Sequence, residues 1–494
     1  MLSPEPTPTD CLARRRAGIL LHLTSLPGPG PCGTLGPQAH RFVNFLADCG
    51  LSVWQMLPVG PPQADGSPYQ TRSVHAGNPR LIALDPLLEQ GWLPALPEDT
   101  DDNQEALRHA WNGFRNRASA TDRRALAGFE AEQAYWLDDY ALFRALHEEQ
   151  KAPWWKWPSP LRRRDPAALE QARRRLEEDL AYIRFEQSLF FGQWQLLRGH
   201  ANAAGIELFG DMPIFVAHDS TEVWARPRDF DMHEDGSPRV VAGVPPDYFS
   251  ATGQRWGNPL YRWDRMQADD FRFWMDRIRT QIRLFDMVRI DHFRGFEACW
   301  EIPAGEEFAV NGHWVKALGD ELFESLLRQF GRLPLIAEDL GVITPEVEAL
   351  RKKYRLPGMK VLQFAFSGET DNGYLPFHHD EDSLVYTGTH DNDTTLGWYQ
   401  SLDAETRRYV DDYLGYPSEA MPWPLIRCAL GSRARLAILP MQDILGLDGS
   451  HRMNLPGTSK GNWRWRFSWD RTDPGLIDHI RHLVELYGRS ATSP

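Results

Sequence analysis

Apolar runs recur along the chain at a spacing that sets its architecture. Eight of them, at 17–26, 52–59, 206–216, 285–291, 333–338, 360–366, 384–390 and 435–441, have the length and composition of buried strands. Helical periodicity occupies the intervals. Phe42, Phe45, Leu46 and Cys49 recur at i, i+3, i+4 and i+7 ahead of Gly50, which predicts a helix over 41–50. Further helices are predicted near 266–284, 318–330, 345–354, 403–414 and 418–432, and a last amphipathic one begins at Asp473-Pro474. Strands and helices in this alternation predict an α/β fold, a (β/α)8 TIM barrel, with large and mainly helical insertions and no separate C-terminal β-domain.

The alternation breaks twice. Residues 92–199 are heavily charged and helical in pattern, so they read as an inserted helical subdomain. Residues 217–265 read as a loop insertion on the active-site side. Within that second insertion, Gly243–Trp263 holds six Gly or Pro and five aromatics among its 21 residues, the composition of a functional loop. The Pro-rich start, 1–16, reads as a disordered tail, which leaves 17–494 as a single catalytic barrel.

Composition narrows the partners. The formal charge of -14 disfavours an electrostatic grip on nucleic acid or an anionic membrane surface. No run reaches the roughly 18 apolar residues of a membrane span. Arg14-Arg15-Arg16 ahead of an apolar stretch resembles a signal peptide, but His22, Thr24 and Ser25 interrupt it and no small-x-small cleavage site follows. Five scattered cysteines without a CxxC read as reduced thiols, so a cytoplasmic location is expected. The 19 tryptophans supply flat faces, and with an acidic chain these suit sugars better than bases.

In a barrel, active sites form at the C-terminal ends of the strands. Asp291, Glu338 and Asp391 fall there, after the fourth, fifth and seventh strand candidates. Arg289 and Asp291 are two residues apart, so on a strand they share a face. Such a pair is equally a buried ion pair; the two further carboxylates at the same mouth give it chemical weight. Retaining glycosyl transfer needs an ionised carboxylate and a protonated one. Arg289 favours ionisation of Asp291, and Glu338 follows the apolar Leu335-Ile336-Ala337, where desolvation raises a pKa. A Mg²⁺ site for enolisation, with His292 or His390 as base, is the competing chemistry. A carbohydrate-binding barrel without catalysis would leave three acids at strand ends unexplained.

Several stretches carry a resemblance. GILLHLTSLPGPGPCGTLG, SPYQTRSVHAGNP, FGDMPIFVAHDSTEVW, GVPPDYFSATGQRWGNPLYRW, VRIDHFRGF, IAEDLG, THDN and NLPGTSKGNWRWR span nearly the whole chain. By them the sequence resembles the amylomaltases, the 4-α-glucanotransferases or disproportionating enzymes of glycoside hydrolase family 77 in the α-amylase superfamily. The resemblance implies Asp291 as nucleophile, Glu338 as general acid/base and Asp391 as transition-state stabiliser. It further implies substrate contacts from Arg289, His292, His390, Asp211, Tyr69, Ser67 and Asn454. Tyr248, Phe249 and Trp256 of the aromatic loop are expected on the acceptor side. The implied reaction moves segments of α-1,4-glucans and maltooligosaccharides to the 4-hydroxyl of an acceptor, glucose included, with no cofactor or metal. An α-1,4-glucan hydrolase of the same superfamily is the alternative, and monomer and homodimer stay open. One departure from the family pattern, Arg72-Ser73-Val74-His75, is expected to alter a peripheral sugar subsite.

Overall fold

The computed structural model describes residues 12–96, 103–246, 250–458 and 460–490. Twelve strands occur among them: β1 Arg16–Leu20, β2 Val53–Gln55, β3 Glu207–Pro213, β4 Val240–Val244, β5 Gln254–Pro259, β6 Met287–Asp291, β7 Ala298–Pro303, β8 His313–Lys316, β9 Leu335–Ala337, β10 Gly358–Val361, β11 Ser383–Tyr386 and β12 Leu436–Pro440. Eight of them form a parallel sheet in the order β10-β11-β12-β1-β2-β3-β6-β9. The ends of that order meet where Ala337 N–H donates to Pro357 O at 2.8 Å, which brings β9 to the start of β10 and closes a (β/α)8 barrel.

Side chains alternate across each strand, and the two faces bury separate clusters. Leu20, Val53, Phe209, Met287, Ile336, Met359, Val361, Leu384, Leu436 and Ile438 fill the barrel interior. Ile19, Trp54, Leu208, Val288, Ile290, Leu335, Val385 and Leu439 pack outward against the helices. This period of two puts Arg289 and Asp291 on the inward face with Met287, and Asp211 there with Phe209.

The hydrogen-bonded strands are shorter than the apolar runs that announce them. Leu23 and Leu26 lie beyond the end of β1, and Leu362 beyond β10, yet all three are fully buried in 3-10 turns or their flanks. Apolarity here follows burial of the mouth loops as well as of the strands. The first helix runs Pro37–Asp48 and so begins a turn before the predicted 41–50, because Pro37 at N1 presets its start. Gly50, at φ 72°, ends it.

Helices 104–117, 120–133, 137–150, 159–162, 166–175 and 177–203 occupy the interval between β2 and β3. A buried ion pair of Arg144 with Glu186 joins two of them. The expected loop over 217–265 is more regular than its composition suggests. It holds β4 and β5, which join β7 and β8 in an antiparallel sheet of order β5-β4-β7-β8. Gly243 allows the hairpin to close, since a Cβ there would lie 2.1 Å from Gln254 O.

The disordered tail expected over 1–16 is corrected at its end. Leu12 is buried under the barrel, its carbonyl accepts from Arg435 Nη1 at 2.8 Å, and Arg16 already belongs to β1. Residues 1–11 lie outside the described ones. No helix among the described residues is long and apolar enough to cross a membrane.

Gly210 connects this packing to the site. A Cβ on it would lie 2.2 Å from the Phe285 ring, on the strand that carries Asp211. Gly210→Ala is therefore expected to lower unfolding free energy by about 1–3 kcal/mol, read by denaturant titration. Unchanged stability would show that the Phe285 ring yields freely.

Candidate active site

Strand register assembles the site. β3 and β6 pair with Asp211 opposite Arg289 and Pro213 opposite Asp291. β6 and β9 pair with Ile290 opposite Ala337, so Asp291 and Glu338 leave their strands side by side.

Arg289 is the hub. Its Nε donates to Asp211 Oδ1 at 3.0 Å, and its Nη2 lies 2.8 Å from Asp211 Oδ2. The same Nη2 donates to Asp291 Oδ1 at 2.7 Å and to the Tyr69 hydroxyl at 3.2 Å. Tyr69 in turn donates to Asp211 Oδ2 at 2.7 Å. Burial works against the guanidinium's charge, but Asp211, Tyr69 and Asp291 outweigh it and hold Arg289 cationic. The place a divalent ion would take between Asp211 and Asp291 is thus filled by a guanidinium. Among the described residues, no three His, Cys, Asp or Glu side chains gather as a metal cage.

Burial pushes the Asp291 carboxyl up to about 6; Arg289 opposes the rise, while Asp211 and Asp391 add to it. Glu338 goes further, to about 8, through burial and then the charge of Asp291. Its two oxygens are held by backbone: His292 N–H donates to Oε2 at 2.7 Å and Leu340 N–H to Oε1 at 2.8 Å. His292 takes up a left-handed conformation, φ 60°, at the turn that follows Asp291. The two carboxyls therefore titrate in order, with Glu338 keeping its proton after Asp291 has lost its own.

Asp391 is handled differently. Its Oδ1 accepts from Asn454 Nδ2 at 2.6 Å, and its Oδ2 lies 3.2 Å from His390 Nε2. Against the effect of burial, the His390 ring and these two hydrogen bonds hold Asp391 well below the usual carboxylate range. His390 Nε2 is also 2.9 Å from the Tyr69 hydroxyl, and the two rings stack at 5.2 Å. One hydrogen-bonded chain therefore runs from Asp211 through Arg289 and Tyr69 to His390, Asp391 and Asn454.

The remaining candidates divide. His292 is pushed down to about 4 by burial and by Arg294, and its Nε2 is buried without a partner. Trp256, on β5, meets that ring edge to face at 4.8 Å, so the second sheet reaches the site. Ser67 stays outside the cluster; its hydroxyl accepts from Tyr69 N–H at 3.3 Å and shapes the turn beneath Tyr69. Tyr248 and Phe249 lie outside the described residues. The expected peripheral subsite at 72–75 is not formed by His75, which is buried, bonded through Nδ1 to Thr280 Oγ1 at 2.8 Å and stacked on Trp136. An imidazole there serves packing because the helix Arg272–Leu284 covers it.

Two residues were not singled out in the sequence. Arg452 donates to the Asp391 carbonyl at 2.8 Å. Trp463 sits 5.9 Å from the Tyr69 ring and 6.1 Å from His390. The signal for Trp463 was its place beside Gly461-Asn462 in an aromatic, Gly-rich stretch near the C-terminus.

The model of glycoside hydrolase family 77, described as 4-alpha-glucanotransferase, matches residues 21–472. The 4-alpha-glucanotransferase of Thermus thermophilus is 51% identical over 96% of this chain and 99% of its own length. That of Synechocystis sp. is 47% identical over 97% and 99%. Among solved structures, the amylomaltase of Streptococcus agalactiae, in complex with acarbose, superposes with a TM-score of 0.93 at 35% identity, over 97% of this chain and 100% of that one. With its barrel, its three carboxyls and near full-length agreement with these enzymes, the chain belongs to the 4-α-glucanotransferases of glycoside hydrolase family 77.

Proposed function

We propose that this 4-α-glucanotransferase works by retaining double displacement, with Asp291 as nucleophile and Glu338 as acid and then base. The observation that carries this reading is geometric: strand pairing sets Asp291, bonded to the Arg289 guanidinium, beside Glu338, whose two oxygens are held by the His292 and Leu340 N–H groups in a buried site that favours its protonated form. Asp291 Oδ forms a bond to the anomeric carbon as the glycosidic bond breaks. The bonding pair leaves on the glycosidic oxygen, which takes the proton of Glu338. The 4-hydroxyl of an acceptor glucan then enters and gives its proton to Glu338. Its oxygen bonds the anomeric carbon while the carbon–Oδ bond breaks, and the α-linkage is restored.

Arg289 has two tasks in this scheme. It balances the charge of Asp291 and fixes the direction of its attacking oxygen. Asp391, strongly ionised by His390 and Asn454, suits contact with sugar hydroxyls and stabilisation of a distorted, oxocarbenium-like ring. His292 offers a neutral imidazole with a free Nε2 toward the donor sugar. Asp211 and Tyr69 act chiefly through Arg289 and His390, and Ser67 through Tyr69.

The preference for transfer over hydrolysis is assigned to the acceptor side, where Trp256 stands against His292, with Tyr248 and Phe249 in the same stretch. An aromatic wall there stacks an incoming sugar and keeps water from the intermediate. Substrates are α-1,4-glucans and maltooligosaccharides, with glucose as acceptor, and the chemistry calls for no metal or cofactor. The same reading treats 17–494, with Leu12–Arg16 added at its start, as one catalytic body, with 92–199 and 217–265 as its insertions. A cytoplasmic location is supported by Cys49, Cys299 and Cys428, which form no disulfide among the described residues.

Maltotriose alone tests the transfer. Glucose with a ladder of longer maltooligosaccharides is expected; glucose and maltose without longer products would identify a hydrolase. Asp291→Ala should lower this turnover by about 10⁴-fold or more while the melting temperature stays within a few degrees. Residual turnover near wild type would remove Asp291 from the nucleophile's role.

The pH profile has two limbs with opposite causes. Activity should fall as pH drops through about 6, where Asp291 gains a proton, and as pH rises through about 8, where Glu338 loses the proton it must donate. With a pre-activated donor that needs no protonation to leave, Glu338→Gln should keep first-step burst kinetics and lose the alkaline limb. If that limb persisted, another group would be the acid.

Trp256→Ala should raise the ratio of hydrolysis to transfer about threefold or more, measured as reducing ends formed per longer chain made. An unchanged ratio would discard the aromatic wall.

A further inference from the structure

A cleft of about 770 Å³ opens outside the barrel mouth, and none of its lining residues belongs to the carboxylate cluster. Three separate stretches wall it. Trp154, Arg162 and Arg163 come from the segment between β2 and β3, nine residues between Pro227 and Arg239 from the excursion after β3, and Arg262 and Arg265 from beyond the end of β5. Arg162, Arg163, Arg228, Arg239, Arg262 and Arg265 all face it, against Asp231 and Glu234 as the acids in the lining. That leaves the lining four charges positive, in a chain whose net charge is -14. Such a concentration runs against the mean field of the molecule.

The acids do not neutralise it. Arg163 pairs loosely with Glu234 at 3.5 Å, and Arg239 with Asp231 at 3.4 Å. Arg262 turns to Asp264 at 2.9 Å. Arg162 has a 3.4 Å hydrogen bond to Trp155 O, and its Nε is buried with no partner. For Arg228 and Arg265 no carboxylate of the described residues stands within ion-pair distance.

The walls are fixed in advance. Bridges Met232↔Pro238 and Phe230↔Tyr261 tie the excursion to itself and to β5's exit. His233 N–H donates to Ser237 O at 2.8 Å, and Arg262 N–H to Asp229 O at 2.8 Å. Gly236 lets the Trp154 indole pack on the turn, since a Cβ there would lie 2.7 Å from the ring. Trp154 is itself anchored by its Nε1 donating to His218 O at 2.8 Å. The guanidinium groups thus stand on a backbone that needs no ordering when a ligand arrives.

Guanidinium forks match the oxygens of a phosphate in pairs, and the volume takes a sugar-sized body in addition to a single anion. We propose that this cleft binds a phosphorylated sugar, as a free sugar phosphate or as a phosphate group carried on the glucan. The phosphate meets Arg228 and Arg265, neither of which is held in an ion pair, with Asp229 acting on Arg265 only from beyond ion-pair distance. The sugar body lies toward His233 and the segment around Met232.

Calorimetry on the whole protein at low ionic strength tests this, with glucose 6-phosphate, phosphorylated maltodextrin and their phosphate-free counterparts as probes. Saturable, phosphate-dependent binding is expected, weakening as salt is added. The double variant Arg228→Gln/Arg265→Gln should weaken it roughly tenfold or more while leaving maltotriose transfer and melting temperature unchanged. Tighter binding of phosphorylated than of plain maltodextrin, lost in the variant, identifies the glucan-borne phosphate. Glucose 6-phosphate as the tighter probe identifies the free sugar phosphate. Absence of phosphate-dependent binding for both probes overturns the proposal. So does binding that the double variant leaves intact, which would place the anion at the barrel mouth.

Discussion

One guanidinium between two carboxylates organises this protein's mouth. Arg289 is almost wholly buried, and a buried cation is tolerated only when it is paired and its donors are used. Asp211, itself buried, supplies the first partner on the neighbouring strand, and Asp291 the second two residues along the same strand. Neither Asp211 nor Arg289 is free to change alone. Removing Asp211 would leave Arg289 to draw wholly on Asp291, and removing Arg289 would leave two acids facing each other. The demands of burying a charge and of holding a carboxylate at the barrel mouth are met by the same three side chains.

From that centre the polarity of the site grades outward. The Glu338 carboxyl sits where burial and a neighbouring negative charge oppose ionisation, whereas Asp391 sits half exposed beneath a histidine and an asparagine that favour it. Three carboxyls of similar intrinsic acidity acquire three different protonation habits from their surroundings alone. Tyr69 links the two ends, since its hydroxyl touches Asp211, Arg289 and His390 together.

Much of this was legible in the chain. The eight apolar runs correspond to the eight barrel strands, because strands buried on both faces leave an unbroken apolar record. The two-residue spacing of Arg289 and Asp291 translated directly into a shared inward face. What escaped was whatever depends on register or on partners distant in sequence. The antiparallel sheet of β4, β5, β7 and β8 is hidden by Gly and Pro at its hairpin and by short, half-exposed strands. His75 looked like a polar group for a ligand, and only the helix packed over it shows that it is core. Arg452 and Trp463 reach the mouth from segments that carry no periodicity at all.

The turn after β6 has a consequence for how such an enzyme can diverge. Glu338 belongs to β9, yet one of its oxygens is tethered to the main chain of His292, the residue next to Asp291. The gap between the two carboxyls is thereby referenced to a single bend of backbone and not to the sum of displacements across two strands and their helices. Sequence drift elsewhere in the barrel can shift strands by fractions of an ångström while the pair moves as one calliper. For the proposed double displacement, whose stereochemical outcome depends on that gap, the outcome is insulated from the slow remodelling of the rest of the molecule.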